Sequence, residues 1–209
     1  MQDRSNDPVL VLSETFRAFA EATTDYTTLL ETIARKLTAL IGDACMISLS
    51  DADSWLRPAV AIASDDNATR ILHAALANTP TRGGSGYAYR ALQTGESMLL
   101  PEIDPDELAR RAEPAVADAV RQLGIRSYLV MPLQARGRRV GVLSLLRFVA
   151  GSPPFNEIDR ALAATVADHA ALAIVNAELL ESLQRELAER KKAEERTKVF
   201  VALVERAPT

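Results

Sequence analysis

Apolar and polar positions along this chain repeat with two periods, and the places where the period changes divide it into elements. Leu10, Leu12, Phe16, Phe19 and Ala20 recur at helical spacing after a polar start at 1–8, which predicts a disordered terminus and then an amphipathic helix over 9–22. Thr24 and Asp25 interrupt the pattern as caps, and Leu29, Leu30, Ile33, Leu37, Leu40 and Ile41 form a second helical stripe that stops at Gly42. The short apolar runs 44–51 and 57–64, separated by a polar stretch around Asp51–Ser54, read as a strand pair. A short helix over 67–78 follows, and then TPTRGGSG (79–86), where glycine and proline density demands a loop.

A short helix over 87–94 is stopped by Gly95, SMLLP (97–101) is strand-like, and 102–124 is helical with Pro105 in its first turn and a kink or break at Pro114. RSYLVMPLQ and RVGVLSLLRF are two strands joined by Ala135, Arg136 and Gly137, a hairpin to which Pro132 is a mild objection because proline removes a ladder donor. From Asn156 to Ala207 there is neither glycine nor proline, and Asn156 with Glu157 and Asp159 has the chemistry of a helix start. A single helix there would extend about 75 Å at 1.5 Å per residue, past the edge of a domain of this size. Its halves differ: Ile158–Leu180 is rich in Ala, Leu, Ile and Val, whereas from Glu181 to Lys198 eleven of eighteen residues are charged. Leu180, Leu183 and Leu187 keep a three-four spacing, but Arg190 and Glu194 take the next seam positions, so any coiled coil is short or weak.

Composition narrows the function. The 209 residues carry a net charge of −4, which gives no general attraction to phosphate backbones or anionic membranes, so nucleic acid is not an expected partner. One cysteine, Cys45, and two histidines, His73 and His169, supply neither a disulfide nor a zinc set, and a reducing, cytoplasmic setting fits. The N-terminus lacks a signal-peptide pattern, and no unbroken apolar run of about 18 residues suggests a membrane span in this chain.

The element order describes an α+β domain with one antiparallel sheet, and three stretches resemble bacterial GAF domains. SGYAYRALQTGESMLLPEI (85–103) resembles the family's short helix, Thr-Gly turn and strand; SYLVMPLQARGRRVGVLSLLRF (127–148) its Pro-Leu strand, glycine hairpin and Gly-Val-Leu strand; PFNEIDRALAATVADHAALAIVNAELLESL (154–183) its closing helix. The resemblance implies a GAF fold: an antiparallel sheet of five or six strands, terminal helices on one face, and on the other a ligand cavity roofed by short helices and loops. It places a proline where Pro132 stands. ERKKAEERTKVFVALVERAPT, at the end of the chain, resembles the linker and opening residues of a PAS domain in sensor histidine kinases. The implied organisation is a GAF domain over 9–183, a charged signalling linker over 184–199 and the start of a PAS domain over 200–209, within a longer two-component protein.

The implied function is non-catalytic: a sensor that binds a small molecule and relays the signal through its C-terminal helix, as a homodimer held by its terminal helices and with a PAS or kinase module downstream. Alternatives are a ligand-free dimerisation spacer and a haem or bilin sensor. Arg70, His73, Tyr87, Arg90, Arg126 and Tyr128 fall on elements that line the cavity in this family and are the candidate ligand-binding residues, offering hydrogen-bond donors or stacking to an anionic or cyclic ligand. His73 is the candidate haem ligand. Each also reads as an ordinary surface or core side chain, and no cofactor or metal is required. Cys45, in a strand, reads as a small core hydrophobe; a lone cysteine excludes the sulfoxide reductase chemistry of some GAF proteins, and the signature of cyclic-nucleotide GAF domains is not recognisable. Trp55 reads as cover for a core edge, His169 as packing, and Arg136, Arg138 and Arg139 as a solvated hairpin tip.

Overall fold

Alternation along the strands buries both faces of one sheet. The computed structural model describes residues 26–51, 53, 55–76, 86–112 and 114–205; the expected terminus 1–8, the helix over 9–22, the loop residues 79–85 and the final residues 206–209 lie outside them. The strands are β1 (Ala44–Ser50), β2 (Leu56–Ala63), β3 (Met98–Leu100), β4 (Ser127–Ala135) and β5 (Arg138–Arg147), antiparallel throughout in the order β2-β1-β5-β4-β3. Pairing sets Cys45, Leu145 and Leu129 in one cross-strand row and Ile47, Leu143 and Met131 in the next, all buried. One residue along each strand, Ala44, Leu146 and Tyr128, then Met46, Ser144 and Val130, form rows on the opposite face.

The Cys45 face is covered by the terminal helices. Helix α1 (Tyr26–Leu40) packs on β1 and β2 and buries Leu29, Leu30, Ile33, Ala34 and Leu37, positions that share one side of a helix. The last helix, α6 (Glu157–Glu205), starts with a reciprocal cap: the Asn156 side chain accepts from the amides of Ile158 and Asp159, and the Asp159 carboxylate accepts from the Asn156 amide. Its Ala163, Val166, Ala167, Ala170, Ala171 and Ile174 are buried, and none of them, nor any buried residue of α1, belongs to the apolar cluster on the Tyr128 face. Glu157–Ala193 is long and apolar enough to cross a membrane by length and composition alone, and this buried side accounts for much of that apolarity.

The chain divides into two units, Met1–Ile174 and Val175–Thr209. In the second, every side chain from Glu178 to Ala193 is exposed, Leu179, Leu180, Leu183 and Leu187 included. The three-four spacing of Leu180, Leu183 and Leu187 thus lies on an exposed stretch of the helix.

Four short helices cover the Tyr128 face: α2 (Asp66–Leu76), α3 (Tyr87–Thr94), α4 (Pro105–Arg111) and α5 (Pro114–Leu123). Asp65 caps α2 by accepting from the Ala68 amide, and Asp104 caps α4 ahead of Pro105. Gly95 ends α3 in the left-handed conformation that glycine adopts without steric penalty. The helical region expected over 102–124 is broken ahead of Pro114 into α4 and α5. Leu72, Leu92, Leu108 and Val120 from these helices join Tyr128, Val130, Val142 and Leu146 in one buried cluster.

Local chemistry fixes the register. A two-residue turn, Arg136 and Gly137 with φ of 52° and 77°, closes the β4–β5 hairpin, the primed geometry that matches strand twist. Beside Pro132 the sheet is already at an edge, because β3 pairs only Tyr128–Val130; a proline there is tolerated. Pro58 sits on edge strand β2 beside the irregularity between Ile47 and Ser48. Between β1 and β2, the Asp51 carboxylate accepts from the amides of Asp53 and Trp55 and from Arg57 Nε. The Trp55 amide above all, then Arg57 and the Asp53 amide, hold that carboxyl below the usual range, so it stays ionised and keeps the turn closed.

Candidate functional site

A cavity of about 290 Å³ lies between the Tyr128 face and the short helices, close to the lower end of the range for small-molecule sites. Its walls are mainly apolar, with Met46, Leu56 and Leu146 from the sheet and Leu72, Leu108 and Val120 from the helices. Polar groups are few and placed at intervals. Tyr128 Oη and Ser144 Oγ, diagonal neighbours on β4 and β5, lie 3.1 Å apart in a hydrogen bond on the buried floor. Burial pushes the Tyr128 phenol above its ordinary value, against the lowering effect of the bond to Ser144, so both hydroxyls are neutral at physiological pH. The Tyr87 ring stands edge-on to Tyr128 with centroids 6.1 Å apart, and the Arg111 guanidinium lies 5.4 Å from the Tyr87 centroid. Among the described residues Arg111 is the one charged side chain in the lining, half exposed and 3.4 Å from Glu107.

The floor adjoins the structure that anchors α6. Tyr128 pairs with Leu146, both in the cavity wall, and the next pair along the same strands is Ser127 with Arg147. Ser127 Oγ donates to the Leu100 carbonyl and accepts from the Phe155 amide at 2.9 Å. Arg147 donates through Nε and Nη2 to the Ile41 carbonyl at the end of α1 and through Nη1 to the Pro153 carbonyl; Nη1 also lies 3.4 Å from the Asp159 carboxylate in the first turn of α6. Its guanidinium stacks 4.2 Å from the Phe155 ring centroid. One residue step along β4 and β5 therefore separates the cavity floor from the residues that hold the start of the terminal helix.

A model of the GAF domain family matches residues 25–174. The chain belongs to the GAF family. Solved structures agree on the fold. The GAF domain from a phosphoenolpyruvate-protein phosphotransferase of Coxiella burnetii aligns with a TM-score of 0.66 at 16% identity, over 86% of this chain and 99% of that one. The free methionine-R-sulfoxide reductase of Neisseria meningitidis, in complex with its substrate, gives 0.64 at 19% identity over 86% and 95%. A domain of a two-component sensor histidine kinase candidate from Sinorhizobium meliloti 1021 gives 0.55 at 15% identity over 77% and 98%. No curated protein matches the sequence. The fold is α+β with a five-stranded antiparallel sheet among the described residues. GAF domains are generally regulatory sensory domains, although the same fold also serves an enzyme.

In this GAF domain the six residues singled out from sequence do not gather at one place. Tyr87 and Tyr128 line the cavity. His73 lines a separate groove with Arg35 and Arg57, and its Nε2 lies 2.7 Å from the Ala61 carbonyl on β2, so it faces a strand edge and not the cavity. A haem-ligating role for His73 there has no geometric support. Arg70 is exposed and donates to Asn67 on its own helix; Arg90 is exposed and outside the lining. Arg126 borders a shallow depression with Glu102 and Ser152 at the end of the sheet. Helical residues i and i+3 share a face, and for Arg70 and Arg90 that face is the solvent one.

Arg111, Ser144 and Tyr89, also in the lining, were not legible as site residues. Arg111 reads as an ordinary cation complementing the end of a helix dipole; the available signal was its position between Leu108 and Ala112, at the margin of a buried stripe. Ser144 reads as a polar gap in the run VGVLSLLRF until pairing puts it beneath Tyr128. Cys45 lies in the row facing away from the cavity, and burial pushes its thiol far up, which leaves it protonated and unreactive. Among the described residues no group of three or more His, Cys, Asp or Glu side chains is placed to hold a metal ion.

Proposed function

We propose that this GAF domain is a non-catalytic sensor within a two-component histidine kinase, which binds a small molecule in the cavity beneath α2–α5 and passes occupancy to the output module through α6. The observation that carries this reading is the adjacency of floor and anchor: a ligand that displaces Tyr128 or Leu146 acts on the neighbouring pair Ser127 and Arg147, which hold Phe155, Pro153 and Asp159 at the start of α6. Residues 184–199 serve as the charged linker and 200–209 lead into a following PAS domain, in a cytoplasmic part of the protein. A ligand shifts the output by as much as it favours one α6 position over another. The test is mass analysis of the natively purified protein, with thermal-shift screening of the chain and of an Ala75→Phe variant that fills the cavity. Ligands are expected to raise the melting temperature of the parent and not of the variant; equal shifts in both would refute the cavity as the site.

A homodimer completes the reading. Leu179, Leu180, Leu183 and Leu187 are 44–58% exposed on α6, and a second α6 carries the same stripe, which would be covered in a two-stranded contact.

A further inference from the structure

We propose, building on the ligand-binding reading above, that the cavity takes a small organic monoanion: a carboxylate held by Arg111, an apolar ring-sized body against Tyr87, and a hydroxyl or carbonyl on the Tyr128–Ser144 pair. Charge decides the class. Among the described residues the lining carries one positive side chain and no acidic one, so an ammonium group entering it meets the guanidinium of Arg111 and no carboxylate of that lining. Arg111 is available for exchange: its contact to Glu107 is a single 3.4 Å approach between side chains that are 47% and 46% exposed, a geometry that contributes little. A carboxylate accepting two parallel N–H bonds from the guanidinium binds more strongly than that pair.

The apolar walls leave a substrate's charge no other place in the lining. Tyr87 contacts both the guanidinium of Arg111 and the ring of Tyr128, so a ring-sized body beside Tyr87 is within reach of both polar ends. At the floor, two hydroxyls share one hydrogen bond, and one O–H hydrogen remains to be donated. That hydrogen selects an acceptor on the ligand. The cavity volume of about 290 Å³ excludes a dinucleotide-sized molecule.

The test is isothermal titration of the full chain with para-hydroxyphenylacetate, its amide para-hydroxyphenylacetamide, and the amine tyramine, which share ring and hydroxyl and differ in charge. The acid is expected to bind roughly tenfold or more tighter than the amide, with the amine weakest. Arg111→Gln is expected to remove that preference and Arg111→Lys to retain part of it, with circular dichroism showing both folded. Tyr128→Phe is expected to weaken para-hydroxyphenylacetate while leaving phenylacetate unchanged. An amide or amine that binds as tightly as the acid overturns the monoanion class and leaves the ligand-binding reading standing. No binding of any of the three at millimolar concentration, while other ligands still raise the melting temperature of the parent and not of Ala75→Phe, overturns the monoanion proposal and leaves the ligand-binding reading standing.

Discussion

Arg147 shows how much one side chain can fix when it is buried with its partners. It and Asp159 are only 11% and 12% exposed, and the guanidinium also serves the carbonyls of Ile41 and Pro153. Arg147→Ala leaves a carboxylate and two carbonyls without that partner, and the expected loss is about 3–5 kcal/mol in urea denaturation. Arg147→Lys is expected to recover less than half, because a point charge cannot bond both carbonyls; full recovery would show that charge alone matters. Farther along the same strand glycine is constrained sterically, since a methyl group on Gly141 would meet the Ser48 carbonyl oxygen and the Leu49 backbone. Cys45 and Tyr128 make the fold sensitive to alkali. Both have folded values raised by burial, so as pH rises past the ordinary thiol value the unfolded chain loses its proton first and stability falls. The expected slope is about 1.4 kcal/mol per pH unit for each group, beginning near pH 8.5 for the thiol and near pH 10 for the phenol. Cys45→Ala is expected to flatten the denaturation midpoint between about pH 8.5 and 10; an unchanged slope would mean that the thiol ionises equally in both states.

Helix α2 has a role that its sequence conceals. Strand β2 is at the edge of the sheet, and an edge presents open backbone groups to other chains. Two side chains of α2 occupy such groups: Thr69 Oγ1 accepts from the Ala63 amide at 3.0 Å, and His73 Nε2 meets the Ala61 carbonyl at 2.7 Å. Thr69→Val is expected to cost about 0.5–1.5 kcal/mol and to accelerate hydrogen exchange at the Ala63 amide. Protection of that amide unchanged in the variant would show that it has another partner. The periodicity of α2 was readable, but which of its polar residues turned inward depended on β2 lying alongside.

At the scale of the whole molecule, the proposed dimer is what would cover the exposed leucines of α6. Leu183→Lys places a charge in the middle of the stripe formed by Leu179, Leu180, Leu183 and Leu187, and light scattering is expected to show a dimer for the parent chain and a monomer for the variant. A parent chain that is monomeric at high concentration would remove the dimer from the proposal. The sequence by itself determined the strands, their glycine hairpin, the cap at Asn156, the break at Pro114 and the apolar sides of α1 and α6, because these follow from local sterics and from periods of two and 3.6 residues. It also carried the family, through the order of its motifs. Tertiary structure alone decided which polar residues face the cavity: Arg111 and Ser144 enter it, while Arg70, His73, Arg90 and Arg126 do not. Facing is set by the strand register and by how each helix is rotated against the sheet, and a one-residue difference in either exchanges wall for solvent.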